Sequence, residues 1–136
     1  MLTHLNSNLK KHVLRLISLW RNNTDTSMLS KKELLSVSQS LFALQRGLTG
    51  NRELAGAGYM DSSSYLGAYL LYYWPVSYMQ ISYEANAIKN FVAKKELSIL
   101  DVGSGPAPAS AALCDAFSVK NVTMIDSSKK ALNLAE

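Results

Sequence analysis

At 136 residues the chain has room for one compact unit, or one small unit with a piece of another, which excludes a large multidomain enzyme. A composition of 48% hydrophobic and 18% charged residues, with 7 Gly and 3 Pro, excludes disordered and collagen-like classes and permits a packed core. The net charge of +4 is uneven: residues 1–58 hold 8 basic and 3 acidic side chains, residues 59–136 hold 6 and 7, so any polyanion contact belongs to the N-terminal part.

Leu5, Leu9, Val13, Leu16, Ile17 and Trp20 recur at spacings of three and four, which predicts an amphipathic helix over about residues 3–21. Lys10, Lys11, Arg15 and Arg21 break the apolar stretch that a secretory signal needs. The same basic, acid-free segment also has the character of a mitochondrial presequence, so the expected location is the cytoplasm, with the mitochondrial matrix as the alternative. Asn22 to Ser27 reads as a turn, and Ser30-Lys31-Lys32-Glu33 as a capping box, with Leu29 and Leu34 placed to staple it. The second helix is expected to turn Leu34, Val37, Leu41 and Leu44 to a core, to stop at Gly47, and to give way to a loop over 47–60.

Asp61 or Ser62 can cap a third helix running to about Tyr73, with Pro75 ending it and opening a fourth whose face is Val76, Met79, Tyr83, Ala87 and Phe91. The uncharged run from Ser62 to Tyr83 is long enough for a bilayer, but its five serines, Gln80, Pro75 and six tyrosines are costly in hydrocarbon. No membrane contact is expected. Leu97 to Val102 then reads as a buried parallel strand, Ala107 to Phe117 as a small-residue helix, and Asn121 to Ile125 as a second strand. Ser127 or Ser128 caps a last helix. The expected organisation is α/β: a helical region over 1–95, then the start of a Rossmann-like unit over 96–136.

The order from residue 97 onward is strand, glycine loop, helix, strand, acidic residue, helix, which is that of a nucleotide-binding half-unit. Gly103 and Gly105 allow a sharp turn and a close backbone approach, and the following helix aims its N-terminal amides at the same place. Asp126, 21 residues after Gly105, is placed to accept hydrogen bonds from both hydroxyls of a ribose. A dinucleotide calls for a third glycine where Pro108 stands, and its pyrophosphate loses amide donors at Pro106 and Pro108. S-adenosyl-L-methionine carries no phosphate and does not need them.

Asp101-x-Gly103-x-Gly105, with an acid closing the second strand, resembles motif I and the post-I motif of the class I methyltransferases, and Ile125-Asp126-Ser127-Ser128-Lys129-Lys130-Ala131-Leu132 is similar to their usual post-I wording. The resemblance implies S-adenosylmethionine as cofactor. Gly103 and Gly105 would then pass its methionine part, Asp101 would hold the loop and the cofactor's amino group, and Asp126 would bind the ribose. Ser104, Ala107 and Ser127 complete the implied set, with Ala107 where the family often has a third glycine. Upstream, Tyr65-Leu66-Gly67-Ala68-Tyr69 and Trp74-Pro75-Val76-Ser77-Tyr78 resemble the N-terminal part of the methyltransferase-like family associated with the small ribosomal subunit in bacteria and mitochondria. Tyr73 replaces that family's arginine, and its C-terminal cysteine cluster has no counterpart in this sequence.

Other features read more plainly. The tyrosines between 65 and 83 read as core, with base stacking as the alternative, and the basic residues of the first two helices read as solvated faces that could also meet phosphates. His4 and His12 have no acid near them in sequence, Cys114 reads as a buried apolar residue that excludes an intramolecular disulfide, and Ser62-Ser63-Ser64 read as capping residues. No metal site is expected and no catalytic residue is assigned. The expected function is the N-terminal portion of a methyltransferase acting on ribosomal RNA or at the small ribosomal subunit, inactive alone because a full open sheet takes roughly another 100 residues. A non-catalytic ribosome-assembly factor that keeps the fold, and methylation of a small molecule, are the alternatives.

Overall fold

A computed structural model describes residues 2–50, 58–92 and 96–135, with side chains from residue 7 onward. Helix α1 spans Leu2–Arg21 and ends where Asn22 turns left-handed at φ 53°, a conformation that asparagine tolerates. Arg21 then pins the following turn. Its guanidinium donates to the carbonyls of Asp25, Ser27 and Met28 and to both oxygens of Glu33, at 2.8 and 3.0 Å. The capping box forms as expected, with Glu33 N donating to Ser30 Oγ at 3.3 Å and Ser30 N to Glu33 Oε2 at 2.7 Å. Arg21 above all, and then Ser30, hold the Glu33 carboxyl down at about 2.

Helix α2, Lys31–Gln45, buries only Leu44. Leu34 is 53% exposed, and Val37 and Leu41 are half-buried, because α2 packs mainly against the short helix α3 (Ser63–Ala68) and its continuation. Nor does α2 stop at Gly47: Arg46 stays right-handed at φ −61°, ψ −41°, and a π-helical turn over Arg46–Gly50 follows. Of the loop expected over 47–60, residues 51–57 lie outside the described residues, and Tyr59–Asp61 form a 3-10 turn.

From α3 the chain stays helical through a π turn at Tyr69–Tyr73 into α4, Trp74–Val92. Pro75 falls, as expected, in the first turn of α4, but it does not interrupt the helical path, since a π turn shifts the hydrogen-bond ladder by one residue where proline lacks its N–H. Ser62 occupies the cap position of α3, but its hydroxyl meets Ser64 Oγ at 3.2 Å instead of a backbone amide. Gly67 permits a close approach between helices: a Cβ there would lie 2.5 Å from Cδ1 and Nε1 of Trp20 on α1. The face of α4 that packs is Trp74, Tyr78 and Ala85, not the expected Val76, Met79, Tyr83, Ala87 and Phe91, of which Phe91 is 89% exposed. Both stripes are apolar, so spacing could not choose between them; packing against the next helix, α5 (Pro108–Ala116), does. Among the described residues no helix is long and apolar enough to cross a membrane.

Strands β1, Leu97–Val102, and β2, Val119–Ile125, pair in parallel, Leu100 opposite Thr123 and Val102 opposite Ile125. Helix α5, Pro108–Ala116, connects them, and α6, Lys129–Ala135, follows β2. The structure is thus α/β, mostly helical, with a small parallel sheet. β1 is not buried on both faces as expected: Ile99 and Asp101 face covered space, while Leu100, Val102 and Ile125 stand 65%, 71% and 52% exposed. The core cluster of Leu16, Met60, Leu66, Leu70, Trp74, Tyr78, Ala112 and Ala131 draws on helices from both sides of residue 95.

Candidate functional site

The two strands end side by side, and the loop Gly103–Ala107 leaves β1 at that level. Gly103 N and Ser104 N both donate to Ile125 O, at 2.7 and 3.1 Å, so the loop is bound to the end of β2 from its first residue. Gly103 and Gly105 take φ of +71° and +53°. A Cβ on Gly103 meets nothing within 4 Å, and one on Gly105 meets only Met60 Cε at 3.9 Å. The glycines are thus needed for backbone conformation rather than for room. Ala107, at φ 55°, ψ 47°, is left-handed as well and precedes Pro108 in the first turn of α5. It occupies a conformation that glycine adopts most easily.

Asp126 follows β2 directly and closes the site. Its Oδ2 accepts from Gly105 N at 2.7 Å and its Oδ1 from Ser128 N at 2.8 Å. One carboxylate therefore joins the glycine loop to the start of α6. Two oxygens offer about four lone-pair directions, so each retains capacity for a further donor. Asp101 lies on the covered side of β1, where its Oδ2 accepts from Ser110 Oγ at 2.6 Å; it ties β1 to the first turn of α5 rather than bonding the loop amides. Ser104 is buried, with its carbonyl accepting from Ala107 N at 2.9 Å, and it is part of the loop's internal wiring. Ser127 is exposed beside Asp126, and Ser128 is the residue that caps α6, its Oγ accepting from Ala131 N at 3.2 Å.

Every amide N–H from Gly103 to Ala107 is thus engaged within the chain, to Ile125 O, Asp126 or Ser104 O, and Pro106 has none. A phosphate would find no free donor in this loop.

Several neighbours of the loop carried no signal in sequence. Trp74 Nε1 donates to Pro106 O at 2.8 Å in a buried contact. Met60 lies over Gly105. Asp61, expected to cap α3, instead accepts from Ser128 Oγ at 3.0 Å, and Lys130 Nζ donates to Asp61 O and Ser63 Oγ at 3.3 and 3.0 Å, so α6 is laced to the start of α3. Burial, aided by Tyr59, Asp126 and Asp101, pushes the Tyr69 phenol up to about 12; burial and then Asp126 also raise Tyr59. Two neutral phenols therefore stand near the carboxylates. The tyrosine stripe divides: Tyr78 is 1% exposed and core, whereas Tyr72 and Tyr83 are exposed. Cys114 is exposed, against expectation. His12 does have an acid beside it, Asp115, brought across 103 residues of sequence.

No group of His, Cys, Asp and Glu among the described residues could hold a metal ion. A hollow of about 340 Å³ between α1, α3 and α6, lined by Trp20, Leu66, Leu70, Lys130 and Leu134 among others, includes no residue of the glycine loop. No family model, curated protein or solved structure matches the chain.

Proposed function

We propose that the loop 103–107 and Asp126 form part of an S-adenosylmethionine site, and that the chain contributes this site to a Rossmann-like methyltransferase acting on ribosomal RNA or at the small ribosomal subunit. The observation that carries the reading is the 2.7 Å contact from Gly105 N to Asp126 Oδ2, with two left-handed glycines at the ends of parallel strands. That is where ligands bind in open α/β sheets. The internally satisfied loop amides favour a ribose-bearing cofactor without phosphate, and the fit is good in that respect. Bound there, the cofactor would supply an electrophilic methyl group on sulfonium sulfur. The chain's part is to accept the ribose hydroxyls at Asp126, to let the methionine portion pass the side-chain-free Gly103, and to keep Asp101 and Ser110 holding α5 behind the loop.

One observation favours the non-catalytic alternative. Both oxygens of Asp126 already brace backbone amides, so the carboxylate has a structural reason to be there without any cofactor. Calorimetric titration of the chain with S-adenosylhomocysteine separates the two. Saturable binding that weakens at least tenfold in Asp126→Ala supports the site; absence of binding to the folded chain overturns it. For the RNA contact, exposed Lys10, Lys11, Arg15, Lys31 and Lys32 are the available cations, whereas Arg21 is already paired. Gel shifts on helical ribosomal RNA fragments should weaken steeply with salt, and no shift at low salt rejects that partner.

A further inference from the structure

The glycine loop is held from a second direction. Trp74, 4% exposed on α4, donates its indole N–H to the carbonyl of Pro106, inside the loop. The Trp74 ring stacks on Tyr78, one turn along α4, at 5.4 Å and 10° between planes. Tyr78 donates its hydroxyl to Asp115 Oδ2 on α5 at 2.6 Å. The same oxygen lies 2.8 Å from His12 Nε2 on α1, and the His12 ring tilts against both Trp74 and Tyr78 at 5.3 and 5.1 Å. Three helices far apart in sequence thus converge on one carboxylate oxygen and one pair of aromatic rings, and the far end of that pair touches the loop.

A hydrogen bond to a carboxylate fixes the angle of the donor ring as well as its distance. With Asp115 oriented by His12, the Tyr78 hydroxyl has one acceptor position, and the stacked indole follows the phenol ring. Without the His12 donor the Asp115 side chain, 31% exposed, is free to turn toward solvent, and the buried Tyr78 hydroxyl loses its fixed acceptor. The indole then loses the side support that aims its N–H at Pro106.

We propose that His12 is a positioning residue for the glycine loop, acting through Asp115, Tyr78 and Trp74 on the carbonyl of Pro106. By this connection the docking of α1 and the shape of loop 103–107 are coupled. A ligand that tightens the loop also tightens α1, and the reverse holds by linkage. The proposal concerns the loop that the proposed function takes as a cofactor site, and it deepens that reading.

The test compares His12→Phe, which keeps a ring and loses the donor, with His12→Gln, whose amide can donate to Asp115. Hydrogen exchange of the Trp74 indole N–H and the Gly105 amide is followed by NMR in the chain without ligand. The Leu44 amide on α2, outside the connection, is the reference. In His12→Phe both reporters should exchange about fivefold faster, the equivalent of about 1 kcal/mol, with Leu44 unchanged, and His12→Gln should restore them to within twofold of parent. Parent-like exchange in His12→Phe, an equal rise at Leu44, or failure of His12→Gln to restore protection overturns the proposal. Titration with S-adenosylhomocysteine then tests the functional reading separately: absence of binding by the parent removes the cofactor while leaving the exchange result intact.

Discussion

Replacing Asp126 by asparagine removes one of two backbone bonds while preserving shape. The carboxylate serves Gly105 N at 2.7 Å with one oxygen and Ser128 N at 2.8 Å with the other. Asparagine has a single oxygen, so one amide loses its acceptor and faces an NH₂ donor instead. Hydrogen bonds to charged groups contribute about 1.5–3 kcal/mol, and because Asp126 is only half-buried the expected cost is about 2 kcal/mol. An unfolding entropy of about 2.1 cal/mol/K per residue over 136 residues converts this to a Tm about 7 °C lower. Thermal unfolding followed by circular dichroism reads the shift, with Ser127→Ala, at the exposed neighbour, as a control expected within about 0.5 kcal/mol of parent. If Asp126→Asn melts with the parent, this carboxylate does not hold the loop, and the geometric basis of the cofactor site fails with it.

Gly67→Ala should destabilise by about 1–2 kcal/mol, because the new methyl lies 2.5 Å from the Trp20 ring; a shifted Trp20 emission should accompany the lower Tm, and an unchanged melt would refute the close approach. Ser30→Ala, which opens the capping box, should cost about 1 kcal/mol by urea denaturation, while Ser62→Ala, whose hydroxyl caps no amide, should cost less than half as much. Glu33 is held below its ordinary 4.5, at about 2, so its pairing with Arg21 contributes stability above pH 4.5 that is lost as pH falls toward 2. Acid titration monitored by the Arg21 Nε–H resonance should show this loss, and Glu33→Gln should leave only the smaller response due to Asp25, whose carboxylate lies 3.4 Å from the same guanidinium. Gly103→Ala, with open space but φ +71°, should cost about 1–2 kcal/mol of backbone strain, read by the same denaturant melts; parent-like stability would mean that the loop relaxes out of the left-handed region.

Local signals were legible where they depend on neighbours in sequence. The capping box needed only Ser30 and Glu33; β1 needed a short apolar run ending at a glycine; the sharp turn after it needed Gly103 and Gly105. The loop and Asp126 could be paired from sequence because a strand, a short helix and a second strand leave little freedom in where their ends meet. The path through Pro75 was not legible, since a π turn has no residue signature and proline ordinarily ends a helix. Nor was the packed face of α4, because Trp74 and Tyr78 compete with Val76, Met79 and Tyr83 for the same interior and hydrophobicity alone ranks them equally.

What the sequence determined by itself, then, is part of what bonds spanning a few residues set: the capping box of α2, the turn at Gly103 and Gly105, and the order of strand, loop and helix. Tertiary structure alone decided which partners meet across the chain, Trp74 with Pro106, Asp61 with Ser128, and His12 with Asp115. The reason is physical: a polar side chain such as Asp61 or His12 has many acceptors and donors of equal intrinsic strength, and only the packing of helices around it excludes water from all but one.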